Sequence, residues 1–281
     1  MERFIEGLFK FYITYSPLEK GKSRLINLAT HLFSGRKKKY LTSFGAYMSL
    51  DLSQYVDSNI YFRGQYEKNI LLFIKQLKEK FDVDYFIDAG ANIGQHSLYC
   101  AKELNITLVY SFEANPYVYN RLVENIKDNE LDKYVHPYNL ALSDDDGEIV
   151  IVVPDDRNLG GAYIQPATHS KNSKKSIKAV KLDDSINEIG KSGILKIDVE
   201  GAEALVLKGA NRLLESGTIK AIFIEICDKY LSRFGYERND IFNLLESHGY
   251  YGKVIIGSRL EEYNSHKSAG LLEMVFIMKQ D

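Results

Sequence analysis

Cysteine is nearly absent: Cys100 and Cys227 are the only two in 281 residues, far apart and with no C-x-x-C spacing. That excludes a disulfide framework and a cysteine-built zinc site, and it points to a reducing compartment. No run reaches the ~18 apolar residues of a membrane-spanning helix, and no signal peptide is recognisable, so a cytoplasmic location is expected. An excess of one charge is missing as well. The formal net charge of −2 provides no field for nucleic acid. Internal repeats and low-complexity tracts are lacking. What remains is an ordinary globular composition, 45% hydrophobic and 26% charged, in a chain long enough for one large domain and an appendage.

The small net charge hides an uneven spread. Residues 1–40 hold nine Lys/Arg against three acids, +6, which leaves −8 for the remainder. Phe4, Leu8, Phe9, Phe11 and Tyr12 lie among those charges. Residues 1–62 read as a basic, mostly helical accessory segment: one or two helices to about Ser34, then Tyr-rich extended pieces. A basic amphipathic helix can rest on an anionic membrane face. The preferred reading is a helical pair packed on the main domain, residues 63–281, or on a second subunit of a homodimer.

The most informative stretch is Phe86-Ile87-Asp88-Ala89-Gly90-Ala91-Asn92-Ile93-Gly94, an apolar strand, an acid and a glycine-rich turn. Ser97, Leu98 and Ala101 follow at helical spacing. Such a turn presents backbone N–H groups to a ligand, and its glycines admit close approach. The pattern is D-x-G-x-x-x-G, not the G-x-G-x-x-G of a dinucleotide fold. Asp88 would repel a pyrophosphate but suits a nucleoside with a positive amino-acid moiety, which points to S-adenosylmethionine (SAM). Leu108 to Phe112 is a second strand ending at Glu113, about 25 residues on, where an acid can accept both ribose hydroxyls. Asn115-Pro116 then starts a helix carried by Val118, Leu122 and Ile126. Ser143 and Asp144 fall where an adenine would lie, so the cofactor set is Asp88, Gly90, Asn92, Gly94, Glu113, Asn115, Ser143 and Asp144.

From Tyr85 onward strands and helices alternate, which predicts an α/β fold with a parallel sheet. A helix over Gln65–Lys80 precedes it. Asp155 to Ser176 reads as a long functional loop. Glu148–Val153 and Ile177–Leu182 read as extended, and a helix is expected at Asn239–His248, capped around Asn239-Asp240. Tyr250–Ile256 and Leu271–Met278 read as a closing antiparallel hairpin.

Lys196-Ile197-Asp198-Val199-Glu200-Gly201-Ala202-Glu203 is the second strong feature. Lys196 and Asp198 share one strand face. In an open parallel sheet Asp88, Glu113, Asp198 and Glu225 would crowd the rim where ligands bind, and such crowding shifts pKa values at functional sites. Asp198 and Glu200 are the catalytic candidates. Asp198 can take a proton from a hydroxyl, or anchor a divalent cation with Glu225 or Glu200; the metal is the less favoured role. Glu203 is read as a helix cap. Tyr66, Glu67, His169, Lys196 and Glu225 are candidates for the substrate side, and His96 for either ligand. Asp198 is followed by Val-Glu-Gly rather than Pro-Pro-aromatic, which disfavours methylation of a base amine. Neither cysteine follows a proline, which disfavours cytosine C5 chemistry. An oxygen acceptor remains.

With these motifs in order, the chain resembles the FkbM family of SAM-dependent methyltransferases. The carrying segments are Gly64-Gln65-Tyr66-Glu67, Asp88 to Gly94, Phe112 to Pro116, Ala141-Leu142-Ser143, Lys181 to Asp184, Lys196 to Ala210 and Phe223-Ile224-Glu225. The resemblance implies a Rossmann-like seven-stranded methyltransferase fold and O-methylation of a sugar, glycan or related small molecule. It carries Asp88, Gly90 and Gly94 over to the cofactor loop, Glu113 to the ribose, and Asp198 to Glu200 to the acceptor rim. A non-catalytic methyltransferase-like scaffold, binding a partner or membrane surface, and a nicotinamide-dependent oxidoreductase are the competing readings.

Overall fold

The computed structural model describes residues 2–16, 21–152, 159–161, 163–166, 176–186, 190–264 and 270–279. The chain opens with helices α1 (Glu2–Tyr15) and α2 (Lys22–Leu32), an antiparallel hairpin β1 (Lys37–Leu41) and β2 (Tyr47–Asp51), and helix α3 (Tyr55–Arg63). Helix α4 (Lys68–Phe81) leads into the alternating part: β3 (Tyr85–Ala89), α5 (Gln95–Lys102), β4 (Leu108–Phe112), α6 (Pro116–Asp128) and β5 (Val135–Tyr138). Next come β6 (Ala141–Leu142), β7 (Gly147–Val152), β8 (Tyr163–Pro166) and β9 (Ser176–Val180), then α7 (Leu182–Ser185) and β10 (Gly193–Ile197). The chain closes with α8 (Glu203–Lys208), α9 (Asn211–Glu215), β11 (Ile219–Ile226), α10 (Asp228–Leu231), α11 (Arg238–Ser247), β12 (Tyr250–Ile256), β13 (Arg259–Glu262) and β14 (Leu272–Met278).

The main sheet has the order β13-β12-β14-β11-β10-β3-β4-β5. Strands β5, β4, β3, β10 and β11 are parallel, and β14 is antiparallel between β11 and β12. This is the α/β, Rossmann-like architecture, with short β13 added at the edge as an eighth strand. Every residue of β3 and of β10 is buried, as expected for central strands covered by helices on both faces. One face packs with α4, α5 and α6 around Phe86, Phe223 and Val275. The other packs with α8, α9 and α11 around Ile87, Leu195 and Ile222.

Several elements differ from expectation. Tyr55 to Arg63 is a helix rather than an extended piece; its Ile60 and Phe62 are fully buried. Tyr163 to Pro166 forms a strand inside the stretch expected to be a long loop. It belongs to a separate four-stranded sheet, β6-β9-β7-β8, which also takes up the two extended pieces around it. The α11 cap is Glu237, reciprocated by Asp240 in a capping box, rather than Asn239-Asp240. The closing pair β12 and β14 is antiparallel as expected.

The N-terminal segment spends several of its basic groups internally. Arg36 and Lys38 meet Glu6 at 3.0 Å each, Lys39 meets Asp128, and Lys10 lies over the Tyr40 and Tyr61 rings. Phe44, Ala46, Met48 and Leu50 join the core under α4 and α5. Among the described residues no helix is long and apolar enough to cross a membrane.

Candidate active site

The carboxyl ends of β4, β3, β10 and β11 and the amino end of antiparallel β14 lie side by side and carry, in that order, Glu113, Gly90, Asp198, Glu225 and Glu273 at or just beyond the paired residues. Two cavities open along this edge. The first, about 550 Å³ of empty space, is lined by Gly90, Asn92, Phe112, Glu113, Ala114, Leu140, Ala141, Leu142, Ile164, Asp198 and Val199. The second is a tight notch of about 10 Å³, room for one water-sized group, lined by Glu67, Ile70, Lys196, Ile197, Asp198, Phe223, Ile224, Glu225 and Glu273. Asp198 belongs to both.

The loop after β3 is shaped by its neighbours. Gly90 has φ +84°, and an added Cβ would run into the Asp198 carbonyl oxygen; only glycine lets β3 and β10 approach this closely. Asn92 adopts the left-handed region at φ 51°, and its side-chain oxygen accepts the Ile93 N–H at 2.8 Å. Glu113 closes the loop: its two oxygens accept the Asn92 N–H at 2.9 Å and the Asn115 N–H at 2.8 Å. Burial pushes Glu113 up to about 7 against the pull of those two amides. Gly94, also left-handed, starts α5 and packs against Leu122.

Asp88 is fully buried beneath this loop rather than on the lining of the first cavity. Ser97 donates to its Oδ2 at 2.6 Å, while Oδ1 has no hydrogen-bond partner among the described residues. Asn115 caps α6 through Tyr117 N–H and reaches the Leu159 carbonyl. Ser143 is buried and Asp144 exposed; neither lines the first cavity, whose wall here is Ala141 and Leu142. His169 lies outside the described residues.

Lys196 bridges the rim. Its Nζ donates to Asp198 Oδ2 at 3.1 Å and stands 3.9 Å from Glu67 Oε2. Burial alone would lower Lys196, but Asp198, Glu67 and Asp88 hold it above its usual value. Glu67 and Glu225 are both pushed up by burial and by neighbouring carboxylates, and Glu273 by burial. Burial holds His96 well below its usual value, so it is neutral although Glu67 lies 3.3 Å away. Glu200, left-handed at φ 56°, lies outside both linings, and burial and Asp198 push it up to about 7. Glu203 accepts the Gly201 N–H at 2.9 Å, ahead of the helix, so it does not cap α8 as expected: the N-cap is Ala202 and no side chain caps it. Among the described residues no three His, Cys, Asp or Glu side chains converge to hold a metal ion.

Sequence reasoning missed three contributors. Gln95 clamps the segment before α4, accepting the Tyr66 N–H at 2.6 Å and donating to the Tyr66 carbonyl at 2.8 Å. Ile164 comes from the missed strand β8. Glu273 stands opposite Glu225 on β14; its signal was a lone acid at the start of an otherwise apolar strand.

The family model described as the methyltransferase FkbM domain matches residues 88–251. Hexuronic acid methyltransferase AglP of Haloferax volcanii is 31% identical over 169 residues, 60% of this chain and 64% of that protein. Methyltransferase sdnD of Sordaria araneosa is 27% identical over 156 residues, 45% of this chain and 60% of that protein. Both matches therefore span less than two thirds of the relative. The crystal structure of an FkbM methyltransferase from Methylobacillus flagellatus KT superposes with a TM-score of 0.46 at 16% identity, covering 70% of this chain and 44% of that one. With its family model matched over more than half its length, the chain belongs to the FkbM methyltransferase family.

Proposed function

We propose that the protein is a SAM-dependent O-methyltransferase whose acceptor is a hydroxyl of a sugar, glycan or related small molecule. The observation that carries this reading is the place of Asp198, on the wall common to two cavities, with Glu113 in the first. The first cavity's chemistry fits the donor: a carboxylate for a ribose, and an apolar slot of Phe112, Leu140, Leu142 and Ile164 for a purine. Bound there, the donor supplies an electrophilic methyl on a sulfonium. The sugar acid named for AglP supports a sugar oxygen as the methylated group.

Within this reading the chain's own residues align and deprotonate. Asp198, fixed by Lys196, accepts the acceptor O–H and aims its oxygen across the shared wall. Orientation of this kind is worth on the order of 7–11 kcal/mol. Glu200 lies outside both cavities; raised to about 7 by burial and Asp198, it is matched to take the proton on from Asp198 near neutral pH.

Calorimetric titration with SAM and with NAD tests the cofactor: SAM binds and NAD does not. Glu113→Ala removes a charged hydrogen-bonding group worth about 1.5–3 kcal/mol, so SAM affinity falls roughly 10- to 100-fold; unchanged affinity would overturn the ribose assignment. Asp198→Asn lowers turnover by about 10²–10⁴, scored by mass spectrometry as loss of the one-methylene gain on the acceptor. Full turnover in that variant would sink its role.

A further inference from the structure

Among the described residues the second cavity has a charge problem that no partner solves. Glu67, Asp198, Glu225 and Glu273 line it with one cation, Lys196. Lys196 is already committed to Asp198 at 3.1 Å and reaches Glu67 only at 3.9 Å. Glu225 and Glu273 are cross-strand neighbours on β11 and β14, a placement in which like charges oppose each other. No ion pair or hydrogen bond reaches either of them among the described residues. The Glu67 side chain is 6% exposed and lines the cavity, yet its Oε2 lacks a hydrogen-bond partner. His96 Nε2 stands 3.3 Å from that oxygen without a hydrogen bond to it, and neutral His96 supplies no counter-charge. A buried carboxylate oxygen left unbonded is costly, and among the described residues no donor meets it.

The strand order tells which ligand brings it. Running along the sheet edge, Glu113 and Gly90 front the first cavity, Asp198 stands at the boundary, and Glu225 and Glu273 lie on the far side. The donor nucleoside of the proposed function occupies the near side, so the far side faces the acceptor. We infer that the cavity between Glu67, Glu225 and Glu273 is an ammonium subsite, and that the acceptor carries a protonated amine close to the hydroxyl that is methylated, as an amino sugar does. Ile70 and Phe223 form the apolar back of this notch. A uronate acceptor would instead bring a further carboxylate against four already present. The inference rests on the proposed function, because the near side must hold the donor.

Donor analogues test it without a known acceptor. Sinefungin carries a primary amine where SAM carries its transferable methyl; S-adenosylhomocysteine has nothing there; methylthioadenosine also lacks the amino-acid moiety. Calorimetry on the full chain and on Glu225→Gln/Glu273→Gln compares the three. Sinefungin is expected to bind the native chain at least about tenfold more tightly than S-adenosylhomocysteine, and the double variant should erase that preference while holding S-adenosylhomocysteine within about twofold, which also reports an intact fold. Equal affinities in the native chain, or a preference that survives in the double variant, would overturn the subsite. If the double variant weakens S-adenosylhomocysteine relative to methylthioadenosine, the cavity holds the donor's own α-ammonium and the acceptor assignment is wrong. If S-adenosylhomocysteine fails to bind the native chain at all, the proposed function falls and takes the subsite with it.

Discussion

Gly90 is under two constraints at once. Its φ of +84° is strained for any L side chain, and a Cβ would collide with the backbone of Asp198. Gly90→Ala is therefore expected to destabilise the fold by about 2–4 kcal/mol, combining the left-handed cost with displacement of β10. A fall in Tm of roughly 5 °C or more in calorimetry checks it; an unshifted Tm would mean the two strands separate freely. The sequence made Gly90 legible as a ligand-approach glycine, but not as a contact between β3 and β10, because spacing says nothing of which distant backbone passes overhead. Glu200 offers the complementary test. Its pKa of about 7 comes from burial and Asp198, and a base works only when deprotonated, so kcat/KM should rise as pH climbs through about 7. Glu200→Gln should abolish that rise. A pH profile in the variant that keeps the native limb would move the base elsewhere.

Helix α6 shows how an element can serve the site from a distance. Val118, Leu122 and Ile126 bury its apolar face, and that periodicity was readable. Its polar face does something the pattern did not disclose. Asn125 accepts the Ser49 N–H at 2.8 Å and donates to the Ile93 carbonyl at 2.9 Å. Asn129 accepts the Tyr47 N–H and donates to its carbonyl. The two asparagines bind the open edge of β2 and tie it to the glycine loop. Asn125→Leu leaves a buried N–H and a buried carbonyl unpaired, at about 1–3 kcal/mol each. The expected result is a stability loss of about 2–4 kcal/mol with faster amide exchange in residues 47–51 and weaker SAM binding; loss of stability without the exchange change would show that the asparagine acts only through α6. Helix α3 escaped the sequence for a related reason. Val56, Ile60, Tyr61 and Phe62 are strand-favouring residues, and the helix is held by tertiary burial and by the Asp57 ion pair to Arg121 on α6. Two strands of the small second sheet, β7 and β9, were readable as extended pieces, but its pairing was not, because β6 is two residues long and its partner β9 lies far along the chain.

Across the whole molecule the acids gathered at one sheet edge set the pH response. Burial, with neighbouring carboxylates, pushes Glu113, Glu200 and Glu203 up to about 7, and Glu67 and Glu225 upward as well. Each of these binds a proton more tightly in the folded than in the unfolded chain. Their contribution to stability is full below the unfolded carboxylate range and is lost as pH rises through about 7 for Glu113, Glu200 and Glu203, about 8 for Glu67 and about 9 for Glu225. Two acids act oppositely: Arg238 holds Asp228 down, and at Glu6 burial is outweighed by the Tyr61 hydroxyl, Lys38 and Arg36. Those contributions vanish as pH falls through their lowered values. Thermal stability should therefore peak near the unfolded carboxylate range, at about pH 4–5, and decline by several degrees towards pH 9. Glu225→Gln removes one of the groups forced to ionise, so the alkaline decline should become shallower while the acid limb stays where it was. A decline of native steepness in that variant would mean that the crowded rim does not govern the molecule's alkaline stability, and that the strain among its carboxylates is relieved by water rather than held for a cationic ligand.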